Sequence, residues 1–349
     1  MSMEHLVLAL VLFAGTLAAG NPLQDLGLIK EIWLDMANTS FDDQYRDCSH
    51  KMEEKLRELQ RTEFTKNSVY AKNWTLAAAE WRKREGHVPK PPAALRTDHA
   101  VALMAYTMNQ GLYEDFNAAM REAGRSYREY LNKFHFKTLH FLLTQAVKIL
   151  WEVQIPQCYQ VYRGVRGIRF TAQHRDLVRF GQFTSTSFLK SVAEDFTEAT
   201  FFSVSTCYGV PIRHFSMYPI EEEVLIPPFE IFEVTSITKH GRSNHIQLES
   251  MGTCSYNNCE WVTGKQRQNQ KCNFNAGRTI IGDLPAPGRY SPGSRGGNLS
   301  PKATDATAPR RGKQVRDGNH HRHRDGGMGG GSIWGSGHGD SPAAAPVPS

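Results

Sequence analysis

From Asp42 to Leu150 apolar residues recur at spacings of three and four, the period of a helix with one buried face. Met52, Leu56 and Leu59 follow that rhythm between Cys48 and Gln60, with charged residues between them. The same pattern predicts helices over 74–84, 98–107 and 113–123, interrupted by the proline-rich 89–92 segment and by Gly124. The longest apolar stretch of this kind runs from Phe134 to Trp151, with Phe136, Leu139, His140, Leu143 and Val147 on one face. His135 and His140 have no partner at metal-ligand spacing and read as packed or boundary residues.

At Cys158 the pattern changes to short β-branched and aromatic runs separated by Gly and Pro. Tyr159–Gly164, Gly181–Ser187, Thr200–Cys207, Val210–Ser216, Val224–Ile226, Ile231–Ile237 and His245–Glu249 each suit a strand. Helices first and strands afterwards predict an α+β fold rather than a βαβ array, and no Gly-x-Gly-x-x-Gly opens a helix. After Gly264 the periodicity vanishes. Residues 264–349 carry 13 Lys and Arg against 5 Asp and Glu, so this Gly/Pro-rich tail alone exceeds the net charge of +6 on the whole chain. Such a segment buries too little apolar surface to offset its ordering entropy and is expected to be disordered. Its Arg310-Arg-Gly-Lys and His320-His-Arg-His-Arg clusters suit extracellular polyanions, with a solvated, functionally neutral tail as the alternative, while the lack of interleaved aromatics argues against nucleic acid.

Met1 to Gly20 is a short apolar run ending in small residues, the pattern of a secretory signal cleaved near Ala19 or Gly20. No second long apolar run follows and the C-terminus lacks the hydrophobic tail of a lipid-anchor signal, so a secreted protein with no membrane span is expected. Six cysteines, Cys48, Cys158, Cys207, Cys254, Cys259 and Cys272, suit three disulfides in that compartment, although six allow fifteen pairings. Without a Cys-x-x-Cys pair or clustered histidines no metal site is expected. Asn38, Asn73 and Asn298 open glycosylation sequons.

Candidate chemistry centres on Glu221-Glu-Glu-Val-Leu-Ile-Pro-Pro. Extended geometry would put Glu221 and Glu223 on one face, where two like charges demand a compensating cation or proton. The alternative is a solvated surface cluster. Two further groups decide between them: Val161-Tyr-Arg-Gly and Phe183-Thr-Ser-Thr-Ser, each at the end of a predicted strand. Together the three resemble the Arg-Ser-Glu-x-Glu signature of the arginine-specific mono-ADP-ribosyltransferases. Phe41-Asp-Asp-Gln-Tyr, Ala193-Glu-Asp-Phe, Thr206-Cys-Tyr-Gly-Val and Asn258-Cys-Glu-Trp follow the family order, so the resemblance spans 35–262.

The resemblance implies an α+β fold, with an N-terminal helical region packed on an antiparallel β-sandwich NAD-binding core. A signal at 1–20, a catalytic domain at 21–263 (helical 42–151, mainly β 158–262) and the tail at 264–349 make up the expected organisation. The implied reaction transfers ADP-ribose from NAD+, a substrate, to arginine on acceptor proteins or small guanidino compounds. Glu223 is implied for the ribose, Glu221 for the acceptor guanidinium, Arg163 for the pyrophosphate and ribose, and Ser185 for orienting both ribose and Glu223. Glu222, on the other face, is expected to be dispensable. Phe196 is implied as a stacking partner of nicotinamide, with core packing as the alternative, and Tyr106, Gln182 and Ser216 as further cofactor-binding residues. By the same resemblance Cys48 pairs with Cys259 and Cys158 with Cys207, which leaves Cys254 and Cys272. Extracellular NAD glycohydrolase activity and a catalytically idle secreted binding protein stand as alternatives.

Overall fold

Strand β1 (Lys30–Trp33) is followed by the expected helical half: α1 (Ser49–Lys66), α2 (Ser68–Arg84), α3 (Thr97–Thr107), α4 (Leu112–Ala123), α5 (Tyr127–Lys133) and α6 (Lys137–Glu152). These come from a computed structural model that describes residues 29–108, 111–265 and 271–275. Polar side chains set the helix starts. Asn67 accepts from the Tyr70 amide at 2.9 Å to cap α2, and Ser126 accepts from Glu129 at 3.1 Å to cap α5. The carboxylate of Glu63 on α1 accepts from the backbone N–H groups of Lys137 and Thr138, at 2.6 and 3.0 Å, and so satisfies free donors of α6. Instead of burying one face, α6 buries Leu139, Phe141, Leu142, Leu143, Ala146 and Val147, because α1, α3 and the sheet surround it. His140 is packed inside, 2.8 Å from the Tyr45 hydroxyl, and burial pushes its pKa down to about 3.

The β half comprises β2 (Tyr159–Val165), β3 (Ile168–Thr171), β4 (Leu177–Val178), β5 (Thr184–Ser187), β6 (Thr200–Thr206), β7 (Val210–Pro211), β8 (Glu223–Ile226), β9 (Glu230–His240), β10 (Ser243–Ser255) and β11 (Lys271–Phe274). Short helices α7 (Lys190–Asp195) and α8 (Glu260–Thr263) interrupt it. The main sheet runs β4-β9-β10-β6-β2-β5-β8-β7, with β11 added to β10. It is mainly antiparallel, but β6 and β10 run parallel. Between β2 and β5 a single register pair, Tyr162 with Ser187, joins the two parts. There the sheet folds over: Val224 and Ile226 of β8 share a core with Val161, Phe202, Val204 and Phe232 from the other part. Leu225, on the opposite face of β8, packs into the helical core with Phe183, Val210 and Ile212. Burial on both faces explains why this strand reads as a continuous apolar run.

The three disulfides are Cys48–Cys259, Cys158–Cys207 and Cys254–Cys272. The first spans 211 residues and ties the start of the helical half to the end of the sheet, a constraint of about 5 kcal/mol in the chain-entropy view. The third lies beyond the expected boundary at Gly264: Cys272 is in β11, whose register against β10 sets Cys254 opposite Cys272. The rest of the tail, the signal and Asn298 lie outside the described residues. Asn38 is exposed in a turn. The Asn73 sequon is not presented for glycosylation: its side chain is 1% exposed within α2 and donates to the Val69 carbonyl at 2.9 Å.

Candidate active site

Where β2, β5 and β8 meet α3, α4 and α7, a cavity of about 400 Å³ opens. Arg163 from β2, Ser185 from β5, and Glu221 and Glu223 from the segment entering β8 all line it. Arg163 Nη1 donates to the Ser185 carbonyl at 2.6 Å, which bridges the fold line between the two parts of the sheet. Burial lowers the guanidinium pKa from its ordinary value, against the opposing pull of Tyr106, Tyr113 and Glu223.

Glu223 is 5% exposed. Burial raises its pKa, with the nearby charge of Glu221 adding to the rise; hydrogen bonds from Ser185 and Ser216 and the charge of Arg163 oppose it. Ser216 Oγ donates to Glu223 Oε2 at 2.8 Å and accepts from the Tyr218 amide at 3.1 Å. Ser216 is wholly buried and does not line the cavity, so it acts on the site through Glu223. Glu221 is half-buried and its pKa is likewise raised by desolvation.

The two carboxylates share the cavity, but not by simple strand alternation. Pro219–Glu221 forms a 3₁₀ turn, and Glu222 sits at φ 46°, ψ 51°, in the left-handed region. That one residue redirects the chain so that Glu221, at the end of a turn, and Glu223, at the start of β8, face the same space. Ser187 Oγ donates to the Glu221 carbonyl at 2.6 Å and the Phe188 amide to the Glu222 carbonyl at 3.2 Å, which pins the turn to the end of β5. The Glu222 side chain pairs outward with Arg213 at 2.5 Å.

Helices supply the remaining wall. Tyr106 donates to the Phe183 carbonyl at 2.7 Å, and Asn117 Nδ2 donates to the Tyr106 hydroxyl at 3.1 Å, which holds α3 and α4 against β5. Tyr106 lines the cavity, and burial pushes its phenol up to about 12, so it stays a neutral donor. Phe196, at the end of α7, lines the cavity with 46% of its surface exposed and is not a core residue. The Arg166 guanidinium lies 5.3 Å from its ring centre. Gly164 makes this approach possible, because a Cβ there would fall 2.0 Å from the Ala193 carbonyl oxygen of α7. Gln182 does not line the cavity; its amide oxygen accepts from Arg121 at the surface.

Tyr113, Asn117, Tyr162 and Tyr218 also line the cavity, and sequence reasoning passed over all four. Tyr162 was in view beside Arg163. Tyr113 and Asn117 lie in a predicted helix whose polar face carried no sign of facing a site.

A cavity holding a cationic fork, a hydroxyl and paired carboxylates, set at the fold of a mainly antiparallel sheet, suits an enzyme that binds an anionic substrate and stabilises positive charge on it. The model of the NAD:arginine ADP-ribosyltransferases matches residues 34–256. NAD(P)(+)–arginine ADP-ribosyltransferase 2 of Gallus gallus is 54% identical over 264 residues, covering 74% of this chain and 84% of that protein. The GPI-linked NAD(P)(+)–arginine ADP-ribosyltransferase 1 of Homo sapiens is 44% identical over 303 residues, covering 83% and 92%. Among solved structures, a mutant of the eukaryotic mono-ADP-ribosyltransferase ART2.2 in complex with NAD superposes with a TM-score of 0.59 at 35% identity, covering 66% of this chain and all of that one. The chain belongs to the NAD:arginine ADP-ribosyltransferase family. It is an enzyme that transfers ADP-ribose from NAD to arginine of acceptor proteins.

Proposed function

We propose that the two carboxylates divide this reaction between them: Glu223 serves bond cleavage and Glu221 serves the acceptor. Breaking the nicotinamide–ribose bond develops positive charge on the ribose, which a nearby carboxylate stabilises. Glu223 is the buried one, held in orientation by Ser185 and Ser216, and it accepts a hydrogen bond from the ribose hydroxyl. Arg163 offers planar donors to the pyrophosphate. Phe196 offers an exposed aromatic face to the nicotinamide.

Glu221, nearer solvent, meets the guanidinium of the incoming arginine. That group stays protonated in water, so forming the new C–N bond requires it to be oriented and a proton removed. A carboxylate whose pKa is raised by desolvation is suited to take that proton. The observation that carries this reading is the convergence of Glu221 and Glu223 on one cavity from opposite sides of the left-handed residue Glu222.

Small guanidino compounds fit the same acceptor position. We place the enzyme outside the cell, in line with its expected signal and with the GPI-linked human relative; extracellular polyanions are the proposed partners of its basic tail. Incubation with labelled NAD and agmatine tests the acceptor chemistry. ADP-ribosylagmatine is the expected product, and free ADP-ribose alone would identify a glycohydrolase.

A further inference from the structure

A second groove, of about 220 Å³, opens beside the catalytic cavity and shares Tyr162 with it. Four rings cross its floor from strand to strand. Tyr162 and Phe201 have centroids 6.0 Å apart at 28°, Phe201 and His245 5.1 Å at 36°, and His245 and His240 4.1 Å at 30°. Lys190, at the start of α7, holds its ammonium 5.7 Å from the Phe201 ring centre. The polar residues completing the lining, Ser203, Thr238 and Gln247, can all donate hydrogen bonds.

Among the described residues no carboxylate lines this groove. Glu194, which pairs with Lys190 at 2.7 Å, stays outside it. The catalytic cavity has the opposite character, with two acids facing an expected cation. His245 is held below the ordinary imidazole pKa by burial and then by the charges of His240 and Lys190, against a smaller opposing pull from Glu194. An anion in the groove would relieve that repulsion.

We propose that this groove is a docking site for an acidic segment of the acceptor protein, lying beside its target arginine. The inference rests on the acceptor chemistry proposed above and adds to it a rule for choosing arginines. From β10 through β6 to β2, the strand that carries Arg163, is two strand spacings within one part of the sheet, about 10 Å. An extended chain covers that distance in about three residues. The favoured acceptor therefore carries an Asp or Glu about three to four positions from the arginine. Its carboxylate accepts from Lys190 and the imidazoles, and neighbouring planar groups lie on the rings.

Two peptides test this. They carry one arginine each and are identical except that Glu or Gln stands about four positions away; kcat and KM are measured for both and for agmatine. Wild-type enzyme is expected to show a KM roughly threefold to tenfold lower for the Glu peptide, the size a few exposed charge contacts supply. Lys190→Gln and His245→Gln, made separately, should each reduce that preference while leaving kcat, the KM for NAD and agmatine turnover unchanged. Agmatine labelled normally with no discrimination between the peptides overturns the groove and leaves the acceptor chemistry intact. A variant that slows agmatine and both peptides equally also overturns it. So does a heparin oligosaccharide that occupies the groove while the peptides remain indistinguishable, since the groove would then serve a polyanion.

Discussion

Glu223 is buried in the site, and in the proposed division of labour its environment sets the pH range of the enzyme. Burial and the neighbouring Glu221 raise its pKa, so it stays protonated over a wider acidic range than a free glutamate, whose pKa is about 4.3. Stabilising a developing cation needs the ionised form, so kcat/KM should rise with pH through a midpoint above that value. Glu221→Gln removes one of the raising charges, and the acid limb, read on NAD hydrolysis, should move to lower pH. Glu222 makes a different prediction. Its side chain faces Arg213, and its φ of 46° costs roughly 1 kcal/mol that glycine does not incur. Glu222→Gly is expected to keep transfer within about twofold and to raise the thermal midpoint; lost transfer would mean that the side chain itself serves the acceptor. The acidic run was legible in the sequence as a shared site. Its geometry was not, because alternation in a strand is the only rule that spacing offers, and the turn at Pro219–Glu221 belongs to the loop that precedes β8. Gln182 reads as a neighbour of Ser185 in sequence, yet Arg121 holds its amide at the surface.

Among elements, α1, α2, α3, α4, α6 and the longer strands follow from hydrophobic period, whereas α5, seven residues long, does not. The elements missed are short ones. Strands β1, β3 and β4 are two to four residues long, and α7 has six, too few for a period to show. Helix α7 nevertheless brings Phe196 to the cavity and Lys190 to the groove, and it does so by lying against Gly164. A methyl group there meets backbone atoms of α7 and of Phe196 and Thr197 just after it at 2.0 to 2.7 Å, and backbone cannot yield cheaply. Gly164→Ala should therefore lower stability by about 1–3 kcal/mol and raise the KM for NAD, measured by urea unfolding and initial rates. Unchanged values for both would show that α7 does not depend on this contact. Strand β11 was hidden for another reason: it is drawn from a tail whose composition reads as disordered, and its place comes from pairing with β10 and from Cys254–Cys272.

For the whole molecule, the helical half and the sheet share a core in which Phe183 and Leu225 pack among Phe41, Phe116 and Leu143. The disulfide Cys48–Cys259 closes the same two halves together. The cavity lies at their junction, so its walls depend on both. Ending the chain at residue 275 should leave transfer to agmatine unchanged while weakening retention on heparin, because every element that walls the cavity is retained. Ending it at residue 264 removes β11 and Cys272, and should lower the unfolding midpoint as well. Equal behaviour of the two truncations would count against any structural role for β11. What the assembled enzyme does with NAD finally depends on the partition between arginine and water, and Glu221→Gln measures it. With labelled NAD and agmatine, the account predicts that this variant loses transfer at least tenfold more than hydrolysis, since Glu223 still cleaves the bond. Equal loss of both activities would contradict the division of labour between Glu221 and Glu223.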